Sequence, residues 1–157
     1  MAPRYGWGHS SERVVMRAPH GSWQSSTFVA GLTEREWIAP LVIKGAMNAR
    51  VFETWVEKAL IPRLPPRAIV VMDNLSAHKG ARVRERLERA GAEAWYLPPY
   101  SPDLNPIEQA FAKLKHLLRA ARRGTSESLW QEIGALLDRF EPAECANYLR
   151  NAGYRCN

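Results

Sequence analysis

The pattern of apolar and polar positions predicts short strands followed by helices. Two β-prone runs come first, residues 25–32 and 37–43, and Pro40 interrupts the second. From Asn48 to Ile61 the apolar residues recur at helical spacing, with Asn48 as the expected N-cap. This helix is expected to end at a group of prolines: Pro62, Pro65 and Pro66.

The rest of the chain continues to alternate between strand and helix. Residues 68–72 form a continuous apolar run, which is typical of a strand covered on both faces in the centre of an α/β sheet. The elements expected after it are a basic helix, a short strand, an amphipathic helix that starts at Asn105, and two tail helices: residues 80–90, 93–97, from 105, about 126–140 and 142–151. This order favours an α/β fold.

Length and composition indicate one ordinary globular domain. The chain has 157 residues, of which 46% are hydrophobic, and no apolar stretch is long enough to span a membrane. Its first residues lack the apolar region of a secretory signal. Cys145 and Cys156 have no metal-ligand spacing, so we interpret them as reduced thiols of a cytoplasmic protein.

Basic residues cluster in two of the predicted helices. The net charge is +6, and residues 79–90 carry five basic residues against two acids. Residues 111–123 carry five more and no acid. Such helices are typical of a surface that binds a phosphate backbone, although two solvated helix faces explain the charge equally well.

Two acidic residues are candidates for chemistry. Asp73 directly follows the buried strand, where ligand sites of α/β sheets form, but it could equally make an Asx-turn with the residues after it. Glu108 stands third in a helix that begins Asn105-Pro106, so a capping box would also explain it.

Taken together, the two acids suggest a metal site. The 34 residues between Asp73 and Glu108 run through helix, strand and proline-rich loop, a path that can return the chain to the same edge of the sheet. Carboxylates are the ligands that Mg²⁺ and Mn²⁺ prefer. Two such ions can assist the cleavage of a phosphodiester.

Two sequence strings resemble the DDE superfamily, specifically mariner-like transposases of bacterial insertion sequences. They are VMDNLSAHK at residues 71–79 and LPPYSPDLNPIE at residues 97–108. The resemblance implies a ribonuclease-H-like fold, a mixed five-stranded sheet flanked by helices. It also implies that Asp73 and Glu108 are the second and third metal-binding acids for two Mg²⁺ (or Mn²⁺) ions, and that Asp103 is a turn residue. The residues expected to contact DNA are His78, Lys79, Lys113, Lys115, Arg119, Arg122 and Arg123, although His78 could equally be a packed or surface histidine.

The chain departs from the family pattern at its start. The family's first aspartate lies on a central strand upstream of Tyr5-Gly6-Trp7, and that strand and the DNA-recognition region before it are not found here. We therefore expect an N-terminally truncated protein that lacks the first, central strand. Residues 1–123 would form a partial catalytic domain and residues 124–157 its helical tail. Such a chain is expected to be weakly folded and not to cleave DNA by itself.

The resemblance implies a function in DNA transposition, with metal-dependent strand cleavage and strand transfer. The alternative is a non-catalytic DNA-binding remnant or an inhibitor of full-length transposase, and an inert gene product is a third possibility. The expected partners are double-stranded DNA, an upstream transposase segment or the full-length enzyme, and a second copy of the chain, with no membrane.

Overall fold

The structure, a computed structural model, describes residues 26–75, 78–120 and 126–154. Its strands and α-helices in chain order are β1 Ser26–Leu32, β2 Trp37–Lys44, α1 Ala49–Trp55, β3 Ile69–Met72, α2 Ala81–Arg89, β4 Glu93–Tyr96, α3 Pro106–Ala120, α4 Ser126–Leu137 and α5 Pro142–Asn151. Each predicted strand and helix is confirmed to within a few residues. Helix α2 ends before Gly91, whose φ of 76° favours glycine.

Strands β1 and β2 form an antiparallel pair with a bulge at the predicted interruption. Val29 pairs with Leu41 and Gly31 pairs with Ile38, so two residues of β2 lie opposite one residue of β1. These two residues are Ala39, with a φ of 51°, and the exposed Pro40. The bulge lets proline stand inside a strand, because the residue there need not donate to the ladder.

The segment after β2 is a continuous helix that changes type twice. Asn48 caps it as predicted, since its Oδ1 accepts a hydrogen bond of 3.0 Å from the Val51 backbone N–H. The α-helical part is followed by a π-helical turn, Val56–Leu60, and a 3₁₀ turn, Ile61–Arg63. Trp55 fixes this helix to the bulge, because its indole N–H donates to the Ala39 carbonyl at 2.8 Å.

Strands β3 and β4 form a parallel pair in which Met72 lies opposite Tyr96. One face of this pair, with Val70 and Met72, packs into a core that includes α1 and α2. The opposite face is open: Ile69 is 51% exposed and Trp95 is 49% exposed. The prediction that β3 is covered on both faces was therefore wrong, because a continuous apolar run cannot by itself distinguish one covered face from two.

A second core holds the C-terminal helices against the β1–β2 pair. Its members come from β1, β2, α3, α4 and α5, and its centre contains Trp37 and the buried, free Cys145. The described strands thus form two separate pairs, four strands in all; the β1–β2 pair contributes to both cores and the β3–β4 pair to the first. None of the helices in the described ranges has the length and apolar character needed to cross a membrane.

Candidate functional site

The Asp73 carboxylate lies directly after β3, at the end of the parallel pair. Its Oδ1 accepts a hydrogen bond of 3.2 Å from the Leu75 backbone N–H, so the expected Asx-type turn is present. The same Oδ1 lies 2.5 Å from Nδ1 of His78. The turn and His78 therefore both contact Oδ1, and Oδ2 receives no hydrogen bond from the described residues.

His78 is held on three sides. Its ring lies 4.2 Å from the ring of the buried Phe52, tilted by 30°. Its backbone N–H donates to the Leu75 carbonyl at 3.0 Å, and its own carbonyl accepts a 3.1 Å hydrogen bond from the Tyr96 hydroxyl. His78 is thus packed, as one alternative had it, and at the same time bonded to Asp73.

Glu108 lies in the first turn of the helix that follows β4. The two regions are related through the parallel strands: the N–H of Leu97, just after β4, donates to the carbonyl of Met72, the last residue of β3, at 2.8 Å. The predicted capping box is not formed: the Asn105 backbone N–H donates to Pro102 instead. The Glu108 side chain is exposed and makes no hydrogen bond or ion pair within the described ranges, so capping does not account for it.

Asp73 and Glu108 each carry a carboxylate. Oxygen donors of this kind fit Mg²⁺ or Mn²⁺. Within residues 26–75, 78–120 and 126–154, no three His, Cys, Asp or Glu side chains come together as a metal-binding group. Asp103 lies in the short 3₁₀ turn Pro102–Leu104, the turn position expected for it.

The cations of α2 are largely paired with acids. Arg86 forms an ion pair with Glu57, and Arg82 lies 3.9 Å from Glu53, so both attach α2 to the preceding helix. Arg89 pairs with Glu85 on α2 itself at 2.6 Å. Three of the four arginines of this helix are therefore paired with acids.

The cations of α3 divide between two sides of the helix. Lys115 and Arg119 follow Glu108 by seven and eleven residues, so all three lie along one stripe, and all are exposed. Lys113, five residues after Glu108, faces another side. Its ammonium contacts both carboxylate oxygens of Glu144 on α5, at 2.5 and 2.7 Å, and lies 4.5 Å from the centre of the Phe140 ring.

This contact explains the ionisation of Glu144. Burial alone would raise its pKa, but hydrogen bonds from Lys113 and from the Tyr148 hydroxyl outweigh that effect, and the pKa is lowered. Burial and the neighbouring carboxylate raise the pKa of the Tyr148 hydroxyl, which keeps it a donor. Lys113 was predicted to contact DNA; its observed partners are Glu144 and Phe140, and the DNA contact stays a prediction.

Two residues near Asp73 were not predicted from the sequence. Tyr96, the last residue of β4, bonds to His78, and Arg84 of α2 lies over its ring at 5.7 Å. Burial raises the pKa of Tyr96 although Arg84 opposes this. The parallel register could have indicated Tyr96, because it places that residue opposite the one before Asp73. The remaining predicted DNA contacts are Lys79, which is exposed, and Arg122 and Arg123, which lie outside the described residues.

The fold resembles that of mariner transposase structures. It is similar to the catalytic domain of the Mos1 mariner transposase, with a TM-score of 0.70 and 20% identity over 82% of this chain and 74% of that one. It is also similar to the Mos1 strand transfer complex, with a TM-score of 0.77 and 20% identity over 95% of this chain and 46% of that one. The Mos1 paired end complex with Mn gives a TM-score of 0.77 and 20% identity over 94% and 46%. The predicted fold class is confirmed.

The sequence matches the DDE superfamily endonuclease family over residues 1–129, and the chain belongs to that family. The predicted resemblance to DDE enzymes is therefore confirmed. The chain spans about half the length of the Mos1 transposase chains in the two complexes, 46% in each. The comparison with curated proteins gives no match.

Proposed function

We propose that this chain is the catalytic segment of an insertion-sequence transposase, in which Asp73 and Glu108 hold divalent cations for cleavage and joining of DNA. The observation that carries the proposal is the position of the two acids. Asp73 follows β3 directly, Glu108 opens the helix after β4, and the two strands are parallel neighbours. Carboxyl ends of neighbouring parallel strands lie at one edge of a sheet, where ligand sites form.

The donor set agrees with Mg²⁺ or Mn²⁺. Asp73 has one oxygen free of hydrogen bonds from the described residues, and Glu108 is exposed and unpaired among them. One of the similar Mos1 structures is a paired end complex with Mn. Bound ions would activate the attacking oxygen and stabilise the leaving oxygen of a phosphodiester. In the family pattern three acids form the site, and Asp73 and Glu108 would be two of them.

DNA would lie along the stripe of α3 that begins at Glu108. Lys115 and Arg119 are exposed on that stripe and have no acidic partner among the described residues. A phosphate backbone there would be bound through charge alone, without reading the base sequence. Lys79, which directly follows His78 in the chain, is exposed and would add to the positive surface.

The first experiment is a Mn²⁺ titration of the purified chain by calorimetry. We expect Asp73→Asn and Glu108→Gln each to weaken binding strongly, because each removes a charged ligand. Asp103→Asn is the matched control. It removes an acid from the turn between β4 and α3, and it should bind Mn²⁺ as the wild type does. Equal Mn²⁺ affinity in the wild type, Asp73→Asn and Glu108→Gln would overturn the proposal.

The second experiment tests for Mg²⁺-dependent cleavage and strand transfer on double-stranded DNA. We expect Asp73→Asn and Glu108→Gln to abolish the products, because each removes a proposed metal ligand. Product that persists in Asp73→Asn would contradict the assignment. The second candidate function, a DNA-binding remnant that inhibits full-length transposase, is favoured by the unpaired cations of α3, which need no metal. DNA binding unaffected by Glu108→Gln, together with metal binding unaffected by either acid, would select it.

A further inference from the structure

We propose that His78 is a positioning residue that fixes the Asp73 carboxylate so that its Oδ2, and not its Oδ1, is presented to the cation. The inference rests on the proposed function, since it takes Asp73 as a metal ligand. It starts from the 2.5 Å separation between His78 Nδ1 and Asp73 Oδ1.

The two oxygens of Asp73 have different surroundings. Oδ1 receives the Leu75 backbone N–H at 3.2 Å and the His78 Nδ1 at 2.5 Å. An ionised carboxylate only accepts hydrogen bonds, so the short contact requires a proton on Nδ1. Oδ2 receives no hydrogen bond from the part of the chain that the structure describes. The carboxylate therefore has one satisfied oxygen and one available oxygen.

The imidazole is itself immobilised. Phe52, only 3% exposed, supports one face of the ring, and the Tyr96 hydroxyl bonds to the His78 carbonyl. The His78 side chain is 19% exposed, against 37% for Asp73. A donor anchored to the hydrophobic core thus holds a carboxylate that reaches towards solvent. Packing of His78 against the core thus fixes the orientation of the Asp73 carboxylate.

Such support around a metal ligand has a known scale. Removing an outer hydrogen-bond partner of a metal ligand costs about 10- to 100-fold in metal affinity. The cost arises because the free carboxylate must be ordered at the moment of binding. A histidine that only filled space against Phe52 would have no such effect.

The test separates the donor from the ring. His78→Phe keeps an aromatic ring on Phe52 and removes the N–H, whereas His78→Asn places an amide N–H close to the position of Nδ1 and removes the ring. We expect His78→Phe to bind Mn²⁺ about 10- to 100-fold more weakly in calorimetry, and His78→Asn to recover most of the affinity. Wild-type affinity in His78→Phe, with a loss in His78→Asn, would overturn the proposal and assign His78 to packing.

A second measurement needs no His78 variant. The ¹⁵N chemical shifts of the His78 imidazole report which nitrogen carries the proton. We expect a protonated Nδ1 in the metal-free chain, and a changed Nδ1 signal in Asp73→Asn. An unprotonated Nδ1 would overturn the inference. If Asp73→Asn weakens Mn²⁺ binding and His78→Phe does not, this inference fails and the proposed function stands. If Asp73→Asn binds Mn²⁺ as the wild type does, the proposed function fails as well.

Discussion

At the scale of single residues, neighbouring basic side chains on α3 have different tasks. Lys113 faces α5 and is engaged by the Glu144 carboxylate and the Phe140 ring. Lys115, two positions later, is exposed. A count of charges treats the two alike, but Lys113 is paired with an acid and Lys115 has no acidic partner among the described residues. The Lys113–Glu144 pair belongs to the contact between α3 and α5.

The lowered pKa of Glu144 predicts how this contact responds to acid. When the pKa of a carboxyl group is lower in the folded than in the unfolded protein, the group stabilises the fold at pH values above its ordinary pKa, which is 4.5 for Glu144. This stabilisation is lost as the pH falls through the pKa of the folded state. We therefore expect Glu144→Gln to lower the Tm at pH 7. The difference in Tm from the wild type should shrink as the pH is lowered into the acidic range where the carboxylate takes up a proton. Thermal unfolding at pH 7 and pH 3.5 measures it.

The control for this prediction is Glu88→Gln, which neutralises an exposed glutamate on α2. Its difference from wild type should be small at both pH values. A Glu144→Gln effect of the same size at pH 7 and pH 3.5 would show that the carboxylate charge is not what stabilises the contact.

Local hydrogen bonds explain which single residues could be predicted from the sequence. Asn48 caps a helix three residues away, and Asp73 forms a turn with Leu75. Both contacts depend on side-chain chemistry and short spacing, which the sequence displays. The partners of Lys113 and of Tyr96 are 31 and 18 residues away. Such pairs depend on how helices and strands pack, so neither was predicted.

At the scale of elements, the two basic helices differ in what their charge does. Arg82 and Arg86 of α2 face Glu53 and Glu57 and attach the helix to its neighbour. The exposed cations of α3 are Lys115 and Arg119, on the stripe that contains Glu108. The sequence left open whether these helices were a DNA-binding surface or solvated faces. Because these arginines of α2 are paired with acids of the preceding helix, α3 is the better candidate for a DNA-binding surface.

This difference predicts the salt dependence of DNA binding. We expect Lys115→Ala/Arg119→Ala to weaken binding to double-stranded DNA and to reduce the slope of log affinity against log salt by about 0.9 for each phosphate that is no longer neutralised. The matched control, Arg82→Ala/Arg86→Ala, removes the same number of charges but should change the slope less and reduce stability more. Fluorescence anisotropy over a NaCl series measures both. Equal weakening in the two double variants would mean that net charge alone governs binding.

Element types were predictable, but their irregularities were not. Periodicity and capping residues predicted each helix and strand. The register shift at Ala39 and the π-helical turn over Val56–Leu60 were missed. Both irregularities meet in the core, where the Trp55 indole bonds to the Ala39 carbonyl. This contact joins residues 16 positions apart, so no local pattern contains it.

At the scale of the whole molecule, the described residues have two cores and one open face. The first core joins the β3–β4 pair to α1, α2 and the bulge of β2, and the second joins the β1–β2 pair to α3, α4 and α5. The open face carries Ile69 and Trp95. Stability is therefore expected to depend on the two cores and little on that face, although its residues are equally apolar in the sequence.

A matched pair of truncations tests this distribution. Leu87 of α2 is fully buried in the first core, so Leu87→Ala should lower the free energy of unfolding by about 2–5 kcal/mol. Ile69 is 51% exposed, and Ile69→Thr keeps the β-branched shape, so its cost should stay below about 1 kcal/mol. Urea denaturation followed by circular dichroism measures both. A destabilisation by Ile69→Thr as large as that by Leu87→Ala would mean that the open face is covered in solution, and the two-core description of the molecule would then be wrong.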